Sequence, residues 1–412
     1  MLQLDSSVCS PLFNNAIYCN FKKNKIDKMI EIKNPTDCCG CTACASICTH
    51  RAITMHPDLK GFSYPVIDSS ICVDCGLCNK VCPQINAKRL LATSSPKCFA
   101  FRTGNSQILE NSSSGGAFYE LASYVIKNNG VVCGVKYDEN MIVTHSFATT
   151  IEELKQMQGS KYVQSNLANV YSKIKQLLKE RIFVLFTGTP CQVAGLRLFL
   201  RKAYSNLLTV DLICHSVPSP MIFKEYVELV ERKNKKKLVS IKMRDKQKGW
   251  SHRFYYRYIF LDGTSIGSDM LNCEHWGRIY FSGLITRPSC EKCKFTSYER
   301  VGDLTIADYW DDLKQRPDVY SIRGTSLVIA STQIGLDFFQ KIAENNGCWS
   351  LTKDEAFQHC LAAPHETNPN SLNFWSFYFQ NGFIKTYNRY FDKSLKNRLI
   401  RKIYKVLGHP II

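Results

Sequence analysis

The chain has no run of about 18 consecutive apolar residues, which excludes a transmembrane helix. Its first 28 residues carry Asp5 early and lack a basic-then-apolar leader, so secretion is not expected. That segment has no periodicity and reads as an extension, with Met29 an alternative start. Acidic residues are the minority: 35 Asp and Glu face 53 Lys and Arg, a formal net charge of +18. Such a surplus favours anionic partners: an acidic protein, an anionic substrate or a lipid surface. Nucleic acid is not expected, because the basic residues are dispersed and no recognition motif accompanies them. Low-complexity tracts are missing, and so are internal repeats apart from one duplication of cysteines.

That duplication dominates what is present. It reads Cys38-x2-Cys41-x2-Cys44-x3-Cys48, then Cys72-x2-Cys75-x2-Cys78-x3-Cys82-Pro83. This is the spacing of a bacterial two-cluster ferredoxin, in which three close thiolates wrap one cubane and the fourth serves its neighbour. Cys38, Cys41 and Cys44 are therefore expected to pair with Cys82, and Cys72, Cys75 and Cys78 with Cys48, holding two [4Fe–4S] clusters. Paired C-x2-C units also bind zinc, but zinc closes with four ligands and leaves no use for the third step. Twenty cysteines in a short secreted chain would suggest disulfides. At cluster spacings they favour a reducing, cytoplasmic interior.

With 412 residues, 45% of them hydrophobic and 21% charged, the chain is expected to form about two or three globular domains. The expected division is an N-terminal extension (1–32), a ferredoxin-like module (33–87), a larger domain (98–375) and a basic C-terminal tail (376–412). The fold class is α+β / α/β. The apolar-periodic run from Ala117 to Ile126 reads as a helix with a serine-rich cap and a stop at Asn129-Gly130, and Leu167–Arg181, the segment from Pro190 to about Lys202, and Pro220–Arg232 as further helices. Strands are expected at Val131–Tyr137, Met141–Ala148, Ile182–Phe186 and Leu207–Ile213, so the sheet is at least partly parallel. Beyond Lys233 the pattern turns β-rich, with Val239–Arg244 and Arg253–Leu261 around a hairpin at Asp262-Gly263, and Ser326–Ala330. In the tail, Lys393, Lys396, Arg398, Arg401, Lys402 and Lys405 interleave with apolar residues, as in a basic terminal helix packed on the domain or resting peripherally on an anionic membrane.

Three loops carry ligand-binding chemistry. Ser113-Ser114-Gly115-Gly116 opens a helix, where free amides and the helix dipole suit phosphate. Gly159-Ser160-Lys161-Tyr162-Val163-Gln164-Ser165 offers a cation, hydroxyls and an aromatic ring. Thr187-Gly188-Thr189-Pro190 follows a buried strand, where ligands gather in α/β sheets. Cys290-x2-Cys293 has the spacing of half a zinc site, of a redox dithiol or of a pair with no such role; with Cys191 and Cys214, in loops after strands, it could also build a third cubane assembled across the fold. Cys9, Cys19, Cys39, Cys98, Cys133, Cys273, Cys348 and Cys360 are expected to act as small apolar residues.

These stretches, with Asp211 to Pro220 and Gly302 to Trp310, resemble the beta-subunit family of coenzyme F420 hydrogenases and dehydrogenases over roughly residues 33–375. The resemblance implies FAD in the larger domain, with Ser113, Ser114, Gly115 and Gly116 by its phosphates. Ser160, Lys161, Tyr162, Thr187, Gly188 and Thr189 would line the flavin. It also implies a [4Fe–4S] cluster on Cys191, Cys214, Cys290 and Cys293. Two departures bear on the substrate: the family's Gly-Asp-Phe-Trp-Gly is Ala307-Asp308-Tyr309-Trp310-Asp311, and its Cys-His-Gly is Cys214-His215-Ser216. The expectation is an iron–sulfur flavoprotein oxidoreductase. Electrons come from a ferredoxin-type donor or partner redox subunit and reach a small organic substrate, with Lys161 and His215 as catalytic candidates. Some relatives suggest a link to polysaccharide synthesis. The alternative is a non-catalytic subunit passing electrons to a separate enzyme.

Overall fold

A computed structural model describes residues 29–90, 95–250, 255–310 and 316–392. Cys9, Cys19 and the basic residues from Lys393 through Lys405 lie outside them. No helix among the described residues is long and apolar enough to cross a membrane.

The two cysteine runs fold alike, for a local reason. In the first, Gly40 and Thr42 take positive φ (69° and 63°), and in the second the equivalent Asp74 and Gly76 do so (52° and 67°). Two left-handed residues per run curl the chain tightly enough to aim successive thiols inward, and each curl then launches a short helix, Ala43–Ile47 or Leu77–Lys80. Thr42 and Asp74 hold this conformation at a cost of about 1–2 kcal/mol each. Strands β1 (Ile53–Pro57) and β2 (Ser63–Ile67) pair antiparallel between the runs, Ile53 opposite Ile67. The module begins earlier than residue 33: Ile30 is buried in its core beside Ile53 and Cys78.

The larger domain is built on an eight-stranded mixed sheet. Its strands are β3 (Lys97–Arg102), β4 (Val131–Tyr137), β5 (Val143–Ala148), β6 (Val184–Gly188), β7 (Leu207–Leu212), β11 (Leu304–Asp308), β12 (Ser326–Ala330) and β13 (Gly347–Leu351). Between them in sequence, β8 (Leu238–Lys242), β9 (Arg257–Phe260) and β10 (Ser265–Gly267) form a separate antiparallel sheet. The large sheet runs β13-β3-β12-β11-β7-β6-β4-β5, with β4, β6, β7 and β11 parallel and the rest antiparallel. Both faces are covered, which is why β6 and β12 are buried throughout. Helices Ala117–Lys127, Ile151–Met157 and Gln333–Ala343 pack one face. Helices Val170–Lys179 and Pro190–Leu200 pack the other and carry the ferredoxin-like module, through Ala43, Ile47 and Val81.

Several elements differ from the sequence expectation. The turn at Asp262-Gly263 joins β9 to β10 rather than β8 to β9, since β9 pairs with both. The region after Lys233 is not simply β-rich. Gln333–Ala343 and Ser371–Tyr390 are helical, the latter kinked at Gly382 (φ 73°). That last helix runs across residue 375 and buries Phe374, Trp375, Phe383 and Tyr387 in the core with Trp276, so the packed domain extends beyond the expected start of the tail.

Gly115 shows how tightly the loop at the head of Ala117–Lys127 is held. A Cβ there would stand 2.1 Å from Phe101 O and 2.5 Å from Ser326 N. Gly115→Ala should therefore force β3 and β12 apart and cost about 3 kcal/mol, read as a lowered midpoint in denaturant unfolding.

Candidate functional site

The first ferredoxin site gathers the thiols that the spacing predicts. Burial, then Cys38 and Cys82, push the Cys44 thiol up to about 12, and Cys41 feels both Cys82 and Cys44. At the second site Cys78 feels Cys75, and Cys48 packs against the same small core as Cys78 and Cys82. Backbone amides already point at sulfur: Gly40 N to Cys38 Sγ (3.4 Å), Ala52 N to Cys48 Sγ (3.3 Å) and Ile30 N to Cys78 Sγ (3.2 Å). Such bonds favour thiolate over thiol and tune cluster potentials. Burial is uneven: Cys38, Cys41, Cys44 and Cys82 are buried, whereas Cys75 is exposed. Among the described residues, no three His, Cys, Asp or Glu side chains lie close enough to hold a single metal ion.

A third set of thiols converges where the sheet's parallel strands end. Cys191 opens helix Pro190–Leu200 after β6, and Cys214 follows β7. Cys290 and Cys293 sit on and after the 3-10 turn Pro288–Lys292, held to β7 by Arg300. That guanidinium donates to Phe295 O, Ser297 O and Leu212 O and pairs with buried Asp211 (3.0 Å). All four cysteines line one pocket with Cys39, Arg287, His215 and His365. Cys214 is raised by burial and then by Cys290, Cys191 and Cys293, and Cys290 is pushed up to about 12, chiefly by burial. Thiols crowded this way cannot all ionise alone. A cationic iron–sulfur core held by these four cysteines would supply the missing positive charge, so the donor set fits a cluster.

Cys39 is more than the small apolar residue expected. Buried in one cluster with Cys41 and Cys191 and electrostatically coupled to both, its thiol stands between the first ferredoxin site and the third set. Beside it Arg287, fully buried, donates to Cys38 O (2.9 Å), Gln164 Oε1 (3.0 Å) and Ser63 O (3.0 Å), and lies over Tyr64 and Phe62. Cys360 likewise does more than pack, its Sγ lying 3.6 Å from His215 Nδ1.

The expected flavin-binding loops meet each other, through residues the sequence reading named and through His145, which it passed over. Ser113 Oγ accepts from Ser160 N (2.6 Å), and Ser114 Oγ donates to Thr325 O (2.6 Å). Gly116, with φ 91°, caps helix Ala117–Lys127. His145 Nε2 faces Thr187 O (2.9 Å), an acceptor only, so Nε2 holds the proton and Nδ1 accepts from Ser165 Oγ (3.0 Å). Ser165 Oγ accepts in turn from Gln192 Nε2 (3.0 Å), and Gln192 Oε1 accepts from Thr189 N (3.0 Å). Gly188 sits against this same Gln192 side chain. One buried network thus ties the 159–165 loop to the 187–192 loop.

Lys161 does not reach toward a ligand. Its ammonium donates to Gln156 O, Met157 O, Gln158 O and Gly159 O at 3.0–3.3 Å, at the negative end of helix Ile151–Met157. Burial lowers its pKa to about 7, and the four carbonyls oppose that by favouring the charged form. Tyr162 stacks on Tyr280 (5.0 Å, 9°), and His215 packs against Phe281 and His365. Burial, then His365, lower His215 to about 4, so it is neutral at pH 7. Near the Ser113–Gly116 turn lie two cations missed in the sequence. Lys246 Nζ donates to Ser114 O (2.6 Å), and Arg244 faces Asp308 (3.8 Å) over the stacked rings of Trp250 and Trp310. A lone Lys or Arg in a β-rich stretch gives no signal of burial.

Replacing Arg287 with Ala orphans one buried and two half-buried acceptors, at up to about 1–3 kcal/mol each. The variant should lose several kcal/mol in denaturant unfolding, with Arg287→Lys recovering part. His145 should shape the acid limb of stability. Its folded pKa is about 4, lowered by burial, against about 6.5 unfolded. Its contribution is thus complete above about pH 6.5 and lost as pH falls toward 4, and His145→Gln should flatten that limb in unfolding measured from pH 7 to 4.

Residues 183–355 match the family model for the C-terminal part of the coenzyme F420 hydrogenase/dehydrogenase beta subunit, and residues 37–86 match a 4Fe-4S dicluster domain. Among solved structures, the chain is similar to a xenon-derivatised F420-reducing [NiFe] hydrogenase complex from Methanosarcina barkeri. The identity is 17% over 72% of this chain and 90% of that chain, with a TM-score of 0.42. Comparison with curated proteins gives no match. This chain is an iron–sulfur electron-transfer protein whose larger domain is related, over residues 183–355, to the C-terminal part of the coenzyme F420 hydrogenase/dehydrogenase beta subunit.

Proposed function

We propose that the chain is an iron–sulfur flavoprotein oxidoreductase, carrying electrons from a surface-docked donor to FAD and a small organic substrate. The observation that carries this reading is a continuous line of thiols. It runs from exposed Cys75 to Cys78, to Cys44 and Cys82, through Cys41 and Cys39 to Cys191, and into the pocket of Cys214, Cys290 and Cys293. Three cubanes on those cysteines would make it a conductor.

The residues by the Ser113–Gly116 turn suit a dinucleotide's phosphates. The first-turn amides of helix Ala117–Lys127 stand at its positive end, with Lys246 and Arg244 adding charge nearby. Ser160, Tyr162 and the 187–189 loop would hold the rest, through the hydroxyl, ring and backbone groups that the buried network fixes. Bound FAD converts one-electron cluster steps into two-electron, hydride-level chemistry. Lys161 contributes fixed positive charge, locked by its four carbonyls, and His215 a neutral hydrogen-bonding group beside the pocket. Ser216 Oγ and His365 Nε2, both buried, have no hydrogen-bond partner among the described residues, and their residues line the pocket. A polar substrate reaching the third cluster would satisfy them. The link to polysaccharide synthesis rests on the resemblance alone.

Purified anaerobically, the protein should be brown, bleach with reductant, release a yellow flavin on denaturation, and contain about twelve irons per chain. Cys191→Ser and Cys293→Ser should each bring iron to about eight while leaving the ferredoxin-type signal intact. A wild-type iron count near eight would remove the third cluster, and flavin-free protein would remove the flavoenzyme reading.

A further inference from the structure

A groove of about 1160 Å³ runs between the ferredoxin-like module and the end of helix Pro190–Leu200. Its size exceeds the roughly 300–1,000 Å³ typical of small-molecule pockets. One end is built by Gly76, Asn79 and Lys80, immediately after exposed Cys75. Lys80, Lys88, Arg89, Arg201 and Lys202 rim it, all exposed, and none forms an ion pair among the described residues. Its single acid, Asp303, is already paired with Arg197 at 3.1 Å, which leaves the rim with five uncompensated positive charges. Flanking Cys75 and the groove, Ile71, Val73 and Ile85 are 46%, 57% and 60% exposed. Apolar side chains held in water beside a redox loop and ringed by charge of one sign have the make-up of a transient protein interface.

We propose that this groove docks an acidic one-electron donor protein, a ferredoxin-like carrier with a negative face, and that electrons cross to the chain at Cys75. This deepens the electron-carrying reading above and rests on it. Two observations select the occupant. The cations sit beside the only exposed cysteine of the twelve in the three sites, so whatever they attract arrives at the surface end of the thiol line. The groove's aromatic residue, Tyr204, already has Lys202 over its ring (4.7 Å), which favours a charged protein face over a stacked nucleobase.

The test uses the anaerobically purified full chain, its iron measured first, and an acidic two-iron ferredoxin as probe. Binding is read by calorimetry and cluster bleaching by stopped flow, from about 10 mM to about 1 M ionic strength, over which the screening length falls from about 30 to about 3 Å. The variants are Lys88→Glu/Arg89→Glu and Arg201→Glu/Lys202→Glu. Lys127→Glu/Lys155→Glu, on the opposite face of the sheet, makes the same charge change as a control. Each groove variant should bind the ferredoxin at least tenfold more weakly at low salt and lose most of its salt dependence, while dithionite bleaches it as fast as wild type. The control should behave as wild type. Groove variants that bind the ferredoxin normally, or wild-type protein that dithionite bleaches but the ferredoxin neither binds nor reduces, would overturn the proposal. So would groove variants that keep ferredoxin binding but lose affinity for single-stranded RNA or anionic vesicles. Calorimetry needs no turnover, so an iron-poor preparation would count against the electron-carrying function while leaving the docking result readable.

Discussion

The buried guanidinium of Arg287 is where the two halves of this protein become one. A charge taken fully out of water costs several kcal/mol unless its surroundings replace the lost hydration. Arg287 is repaid by acceptors from three separate segments: Cys38 and Ser63 in the ferredoxin-like module, and Gln164 in the larger domain. It also lowers the pKa of Cys191 and Cys290, against the upward push of burial. Module docking and thiolate charge are therefore not independent. Anionic clusters bound on either side would stabilise the cation that clamps the first cysteine run, and the clamp fixes where the third set of thiols meets it.

The sheet explains why that junction lies where it does. Parallel strands β6, β7 and β11 deliver their C-terminal ends to one edge, and the loops leaving β6 and β7 carry Cys191 and Cys214. Arg300 ties the residues just after Cys293, through Phe295 O and Ser297 O, to the end of β7, using the buried pair with Asp211 as its anchor. Close approach of the module needs a gap on helix Pro190–Leu200, and Gly195 provides it. A Cβ there would stand 3.0 Å from Cys41 Sγ.

How much of this was legible depended on whether the determining interaction was local. The cysteine runs were readable because a cubane site is encoded in turns two residues long, and the left-handed Gly40, Thr42, Asp74 and Gly76 are that code in backbone form. The sheet core was readable because β6 and β12 carry the apolar runs Val184–Phe186 and Leu327–Ala330. Helix Gln333–Ala343 carries an apolar face with buried Leu336 and Phe339, yet it lay in a stretch given over to strands. Strand β13 alternates buried and exposed positions only weakly. What stayed hidden was non-local. Cys39 looks like a spare thiol until Cys191 is brought beside it, and nothing near His145, Arg244, Lys246 or Arg287 in sequence announces that each is buried against a loop far along the chain. Lys161 shows the opposite case, a residue conspicuous in sequence whose charge the fold spends on the end of its own neighbouring helix.

The graded burial of the cysteines gives the molecule a direction of ageing. Susceptibility to oxidation follows thiolate character and solvent access. Cys75 is open to water, Cys48 and Cys72 are partly so, and Cys38, Cys41, Cys44 and Cys82 are enclosed. Dioxygen therefore meets the outermost sulfurs first, and a sample weathered in air would lose Cys75 before it lost the enclosed thiols.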